Sequence, residues 1–92
     1  IRAIDRILEH ERFQPLAREE AVMGEAAQIL LAHPEAHLDR VRAAAPDIGQ
    51  VGLDEDTSMS PGSWEAALRA VGGVCQAVDE VFEKKVANAF CA

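Results

Sequence analysis

Three histidines, a run of acids and hydroxyls, and two cysteines are the residues of this chain best equipped for chemistry. In "LLAHPEAHLDR" (residues 30–40), His33 and His37 stand four apart with Glu35 between them. On a helix that spacing puts both imidazoles on one face, as in the H-E-x-x-H proteases that grip zinc. A zinc site needs at least three protein ligands, and the remaining histidine, His10, falls on a different predicted helix. Pro34 follows His33 directly, so the pair straddles a helix start. Glu35 is also the second residue after His33, where the protease pattern requires the first. The expectation is two structural histidines, His33 at a helix boundary and His37 against the core, with no metal held between them.

The acids and hydroxyls of "DEDTSMSPGS" (54–63) could hold a cation, but the glycine and glutamate positions of a calcium loop are not matched. A polar loop ending in a helix cap is expected. Ser58, Ser60 and Ser63 lack a G-x-S-x-G elbow or a paired base. Cys75 and Cys91 lie in apolar sequence, which predicts buried free thiols in a reducing, cytoplasmic setting. The glycines form no phosphate-binding loop. Residue pattern alone yields no catalytic constellation.

The elements that must position these residues are mostly helical. Ile1, Ile4, Ile7 and Leu8 share one helical face, predicting a helix to about Glu11 that is broken by Pro15. Val22, Ala26, Ile29 and Leu30 predict a second helix from about Arg18 to Leu31, weakened by Gly24. Pro34 opens a third, with His37, Leu38, Val41 and Ala45 inward and Pro46-Asp47 as its end. Residues 46–60 read as a polar loop with a short extended piece at 51–53.

The strongest pattern predicts a long helix over about 61–85, with Ser60 as cap and Pro61 at its first position. Trp64, Ala67, Leu68, Val71, Val74, Cys75, Val78, Val81 and Phe82 form its apolar stripe, and Lys84 and Lys85 suit its C-terminal end. Gly72 and Gly73 each cost a helix about 1 kcal/mol relative to alanine, so a close neighbour is expected there. "VANAFCA" reads as a buried strand over about 87–91. A single strand needs a sheet, so the 92 residues are expected to be one partial domain, mostly α, cut from the early part of an α/β fold.

Composition narrows the function classes. The net charge is −7, from 16 acidic and 9 basic residues without a basic cluster, which argues against nucleic acid as a partner. No stretch approaches the ~18 apolar residues of a membrane span, so no membrane partner is expected. The first residue is isoleucine, already inside a helical pattern, and an excised piece is the expectation.

The order and spacing of three segments add a family. "LLAHPEAHLDRVRAAA" (30–45), "LDEDTSMSPGSWEAALRAVGGVCQAVDEVF" (53–82) and "NAFCA" (88–92) resemble the zinc-dependent histone deacetylases. The bacterial class II-like and acetylpolyamine amidohydrolase members are the nearest match. In that family a histidine-bearing helix pair leads to a D-x-D-T loop, a long helix with small residues, and N-A-F-C running into R-P-P-G-H-H.

The resemblance implies an arginase-like α/β fold and zinc-assisted hydrolysis of acetyl-lysine or acetylpolyamine by the intact parent. It also implies that the catalytic histidines, zinc ligands and carbonyl-polarising tyrosine lie outside these 92 residues, so the piece binds no zinc and is inactive alone. Asp56 is implied as the substrate-rim aspartate, with Thr57 as the candidate under a one-residue shift. Trp64, Ala67, Val71 and Gly72 carry over as packing positions, and His33 and His37 as structural histidines. A rival reading is a free-standing helical module that self-associates through the Trp64–Phe82 stripe without catalysis.

Overall fold

Arg2–Leu8 forms α1, Ala26–Ile29 α2, Glu35–Ala44 α3 and Ser63–Phe82 α4. An antiparallel hairpin of β1 (Val51–Gly52) and β2 (Ser58–Met59) lies between α3 and α4. The computed structural model describes residues 2–92. Ile1, assigned above to the first apolar face, lies outside the described residues. The mostly helical class expected from sequence is the class observed; the individual elements differ in instructive ways.

The first helix ends at Leu8 and not near Glu11. His10 adopts an extended backbone, and its Nδ1 accepts the Arg12 amide at 3.2 Å, capping a separate 3-10 turn over Glu11–Phe13. A larger departure follows. The helix expected over 18–31 survives only as the short α2, because residues 17–25 form a non-helical strap that meets α4. The strap's polar groups find partners on α4: the Gly24 amide donates to the Leu68 carbonyl at 2.9 Å and the Val22 amide to Gln76 Oε1 at 3.3 Å. Arg69 Nη1 donates to the Ala21 carbonyl at 3.1 Å. Those bonds replace the intrahelical ones that a continuous helix would have made.

Gly72 is where strap and helix touch. A Cβ there would overlap the Val22 carbonyl and lie 2.6 Å from the Gly24 nitrogen. One on Gly24 would lie 2.6 Å from the Leu68 carbonyl oxygen, and one on Gly73 2.9 Å from the Ala21 Cβ. The two glycines whose helical cost demanded a neighbour therefore have one.

The start of α4 also differs from expectation. Ser60, Pro61, Gly62 and Ser63 form a turn in which Pro61 occupies the second position and Gly62, at φ 88° and ψ −13°, the third. The Ser63 amide closes it on the Ser60 carbonyl at 3.0 Å, the type II pattern. Gly62 is thus the cap, and Ser60 and Pro61 precede the helix. At the other end Lys84 takes the left-handed conformation at φ 60°, with its amide on the Val81 carbonyl and the Lys85 amide on that of Glu80. This is a Schellman closure with lysine where glycine is usual.

The expected strand over 87–91 is not formed: residues 86–92 pair with no strand, and Phe90 is 71% exposed. Cys91, expected to be buried, is exposed, and Cys75 is half-buried. The physical reason is the same for both. A buried strand requires neighbours on two sides, and the hairpin, the one sheet among the described residues, lies elsewhere in the chain.

Leu38 and Met59 are the buried apolar side chains of the described residues, while Val41, Trp64, Leu68 and Val71 are half-buried. Ala67, placed on the stripe above, is exposed. The Arg42 guanidinium lies 5.2 Å from the Trp64 ring centroid and ties α3 to α4. Val74, Val78 and Phe82 form an open row along α4, with Phe82 at 84% exposure. The radius of gyration is 15.6 Å, against about 12 Å for a compact domain of this length.

Candidate functional site: an acid-tipped hairpin

Two clusters from the sequence bear on function, the histidine pair and the D-x-D-T loop. The pair forms as its spacing requires, with ring centroids 5.0 Å apart and planes tilted by 30°. His33 is exposed in the turn before α3, and His37 is half-buried in the first turns of that helix. Arg40 Nη2 lies 3.2 Å from His37 Nδ1. A guanidinium only donates, so Nδ1 is the acceptor in this contact.

That geometry is a poor fit to zinc. The pair offers two nitrogens, one of them already occupied by a cationic donor. Among the described residues no third histidine, cysteine, aspartate or glutamate joins them in a metal-sized group.

The loop is better built. In the hairpin Val51 pairs with Met59 and Gly52 with Ser58, so alternate residues of β2 face opposite ways: Met59 is buried and Ser58 exposed. Beyond the ladder the Leu53 amide donates to the Thr57 carbonyl at 2.8 Å, leaving Asp54, Glu55 and Asp56 as the tip. Asp54 Oδ1 accepts the Asp56 amide at 3.0 Å, an Asx turn that folds the tip over its own first residue. The Thr57 hydroxyl, the Asp56 amide and the Thr57 amide all favour the ionised form of Asp54. With Arg40 adding its positive charge, the carboxyl is held below the usual aspartate range.

Asp56 stands opposite in character. It is exposed, and among the described residues its carboxylate accepts no hydrogen bond and joins no ion pair. Thr57 is exposed too. Asp56 thus offers a free acceptor, while the Thr57 carbonyl closes the base of the tip. Sequence reasoning passed over Asp54 itself. The signal was present in the two-residue spacing of the aspartates, which is the spacing of an Asx turn.

Trp64, Gly72 and Gly73 sit on α4, where Trp64 lies under Arg42 and the two glycines lie against the strap. A shallow groove of about 290 Å³ along α4 is lined by Cys75, Gln76, Asp79 and Glu80 among others. At its edge Gln76 Nε2 donates to Glu19 Oε2 at 3.0 Å, which pins the strap. Glu80, sharing a hydrogen bond with Glu19 and repelling its charge, holds the Glu19 carboxyl above the usual range against the pull of Lys85 and Gln76. Among the described residues no helix is long and apolar enough to cross a membrane.

A family model of the histone deacetylase domain matches residues 1–92. No curated protein matches the chain.

Proposed function

The chain belongs to the histone deacetylase domain family, and from that premise we propose that it is the amino-terminal helical layer of a zinc-dependent amidohydrolase. Its own role there is to carry one edge of the substrate rim. The observation that carries the reading is the pairing of that family match with a hairpin tip whose Asp56 carboxylate is free and exposed. A carboxylate in that state accepts backbone N–H groups of an approaching acetylated peptide. Each such charge-assisted bond restricts the substrate's orientation before reaction.

Hydrolytic chemistry, the zinc included, is assigned in this reading to residues outside these 92. The surface accounting supports a larger unit. The chain exposes 7546 Å², whereas a compact monomer of this size exposes about 5,200 Å². The excess of roughly 2,300 Å² includes the Val74–Val78–Phe82 row, and the remainder of such a domain is what would cover it.

An acetyl-lysine peptide and an acetylpolyamine, each assayed with added zinc, test the claim. The 92-residue chain is expected to turn over neither. The full-length protein encoded by the same reading frame is expected to hydrolyse at least one. Zinc-dependent turnover by the 92 residues alone would refute the assignment of catalysis elsewhere. A full-length protein inert toward both substrates would refute the hydrolase reading and favour the self-associating helical module.

A further inference from the structure

We propose that Gln76, Glu19 and Glu80 form a proton-operated latch that fastens the strap of residues 17–25 to α4 when the two carboxylates share one proton and loosens it when both are ionised. The latch uses none of the rim residues and does not depend on the rim reading given above.

Gln76 holds the strap from both ends of its side-chain amide. Its Oε1 accepts the Val22 amide at 3.3 Å, and its Nε2 donates to Glu19 Oε2 at 3.0 Å. The same Nε2 lies 3.5 Å from Glu80 Oε1, one turn further along α4. Two carboxylates gathered on one nitrogen are close neighbours, and here one belongs to the strap and the other to the helix. Like charges at that range oppose each other's ionisation and push their carriers apart. The pair therefore binds a proton more readily with the strap down than with it lifted, so protonation and closure favour each other. In agreement, Glu80, through hydrogen bonding and then through its charge, holds the Glu19 carboxyl above the ordinary glutamate value.

The surroundings leave this repulsion in place. Lys85, beyond the end of α4, attracts both carboxylates, but its Nζ is engaged by Glu83 at 2.9 Å. Asp79 and Glu83 line the same groove and add negative charge, while α2 contributes the neutral Gln28. Arg69 is engaged by Glu65 at 3.5 Å and by the Ala21 carbonyl at 3.1 Å. The strap's other tie is the Gly24 amide on the Leu68 carbonyl. A segment held by so few bonds, most of them at exposed positions, opens locally before the rest of a fold does. Fastening is complete below the usual glutamate value of about 4.3 and is lost as pH rises through the folded value.

Hydrogen exchange of the full-length protein tests the latch. It is read by mass spectrometry on the peptide spanning 17–25 and corrected for the intrinsic pH dependence of exchange. Protection of that peptide is expected to rise about threefold from about pH 7 to about pH 4.5, the order of one exposed charge pair. The hairpin peptide spanning 51–59 should show no such rise. Glu19→Gln and Glu80→Gln are each expected to bring the higher protection to neutral pH and to flatten its pH dependence. Gln76→Ala should lower protection of the strap at both pH values.

Strap protection that ignores pH in the unsubstituted protein overturns the latch. A rise that persists undiminished in Glu19→Gln and Glu80→Gln overturns it too, because other groups would then be responsible. An equal rise in the hairpin peptide would mark a change of the whole fold and would also overturn it. Unchanged strap protection in Gln76→Ala would show that Gln76 fastens nothing.

Discussion

Asp54 and Glu19 are displaced in opposite directions, and stability should follow pH with opposite signs at the two positions. The Asp54 carboxyl is lowered by the Thr57 hydroxyl and the Asp56 amide. The folded state therefore binds fewer protons than the unfolded one below the usual aspartate value of about 4. Its contribution is present above that value and is lost as pH falls through the folded pKa. Glu19 is raised by Glu80, so its contribution is complete below the usual glutamate value of about 4.3 and is lost as pH rises through the folded pKa. Glu19→Gln is accordingly expected to raise the urea midpoint at neutral pH, with the gain shrinking toward about pH 4. Asp54→Asn should lower the midpoint at neutral pH and converge on the unsubstituted chain in stronger acid. Urea titrations across pH read both; parallel curves for either variant would remove that carboxylate from the linkage.

Among the elements, the crossing of the strap over α4 is the most sensitive to a single atom. Gly72→Ala adds a favourable helix residue worth about 1 kcal/mol. The new methyl would overlap backbone of the strap at Val22 and Gly24, which cannot yield as a side-chain end can. A net loss of about 2 kcal/mol is expected from overpacking. Gly73→Ala meets the Ala21 methyl group at 2.9 Å, and its smaller clash should leave it closer to neutral. Thermal unfolding of the two variants decides this, and equal effects would deny that the strap is held at Gly72. At the end of α4, Lys84 adopts a left-handed backbone that costs a non-glycine residue about 1 kcal/mol. Lys84→Gly is expected to raise stability by roughly 0.5–1 kcal/mol, after the lysine's favourable position at the helix C-terminus is subtracted. No gain in melting temperature would mean that the closure is held by the lysine's charge.

At the scale of the whole molecule the open row on α4 matters most. Phe82 is 84% exposed, so in the 92-residue chain Phe82→Ser should shift stability by less than about 0.5 kcal/mol. In the full-length protein the same change is expected to cost about 3 kcal/mol, as for a phenylalanine removed from a core. Equal small effects in both settings would show that nothing in the larger protein covers that face.

The long helix, the helix read as opening at Pro34 (which the structure makes its cap) and the turn-rich stretch between them were legible in the sequence. Their signals are local: apolar spacing of three and four, Pro and Gly as punctuation, and acids and hydroxyls in a loop. The close neighbour at Gly72-Gly73 was legible as well, because two glycines in a helix are an energetic cost that needs a cause. What covers them was not. Val22, Ala26, Ile29 and Leu30 carry a helical period, and only the tertiary structure decides that the segment up to Glu25 is not helical, because α4 supplies its hydrogen-bond partners from some fifty residues away. The terminal "VANAFCA" has the composition of a strand, but a strand is made by its neighbours and none pairs with it here. The same division holds at the tip. Sequence specified two aspartates two apart, and the fold alone decided which is bound into the loop and which stands free, because that depends on where the Asp56 amide comes to rest.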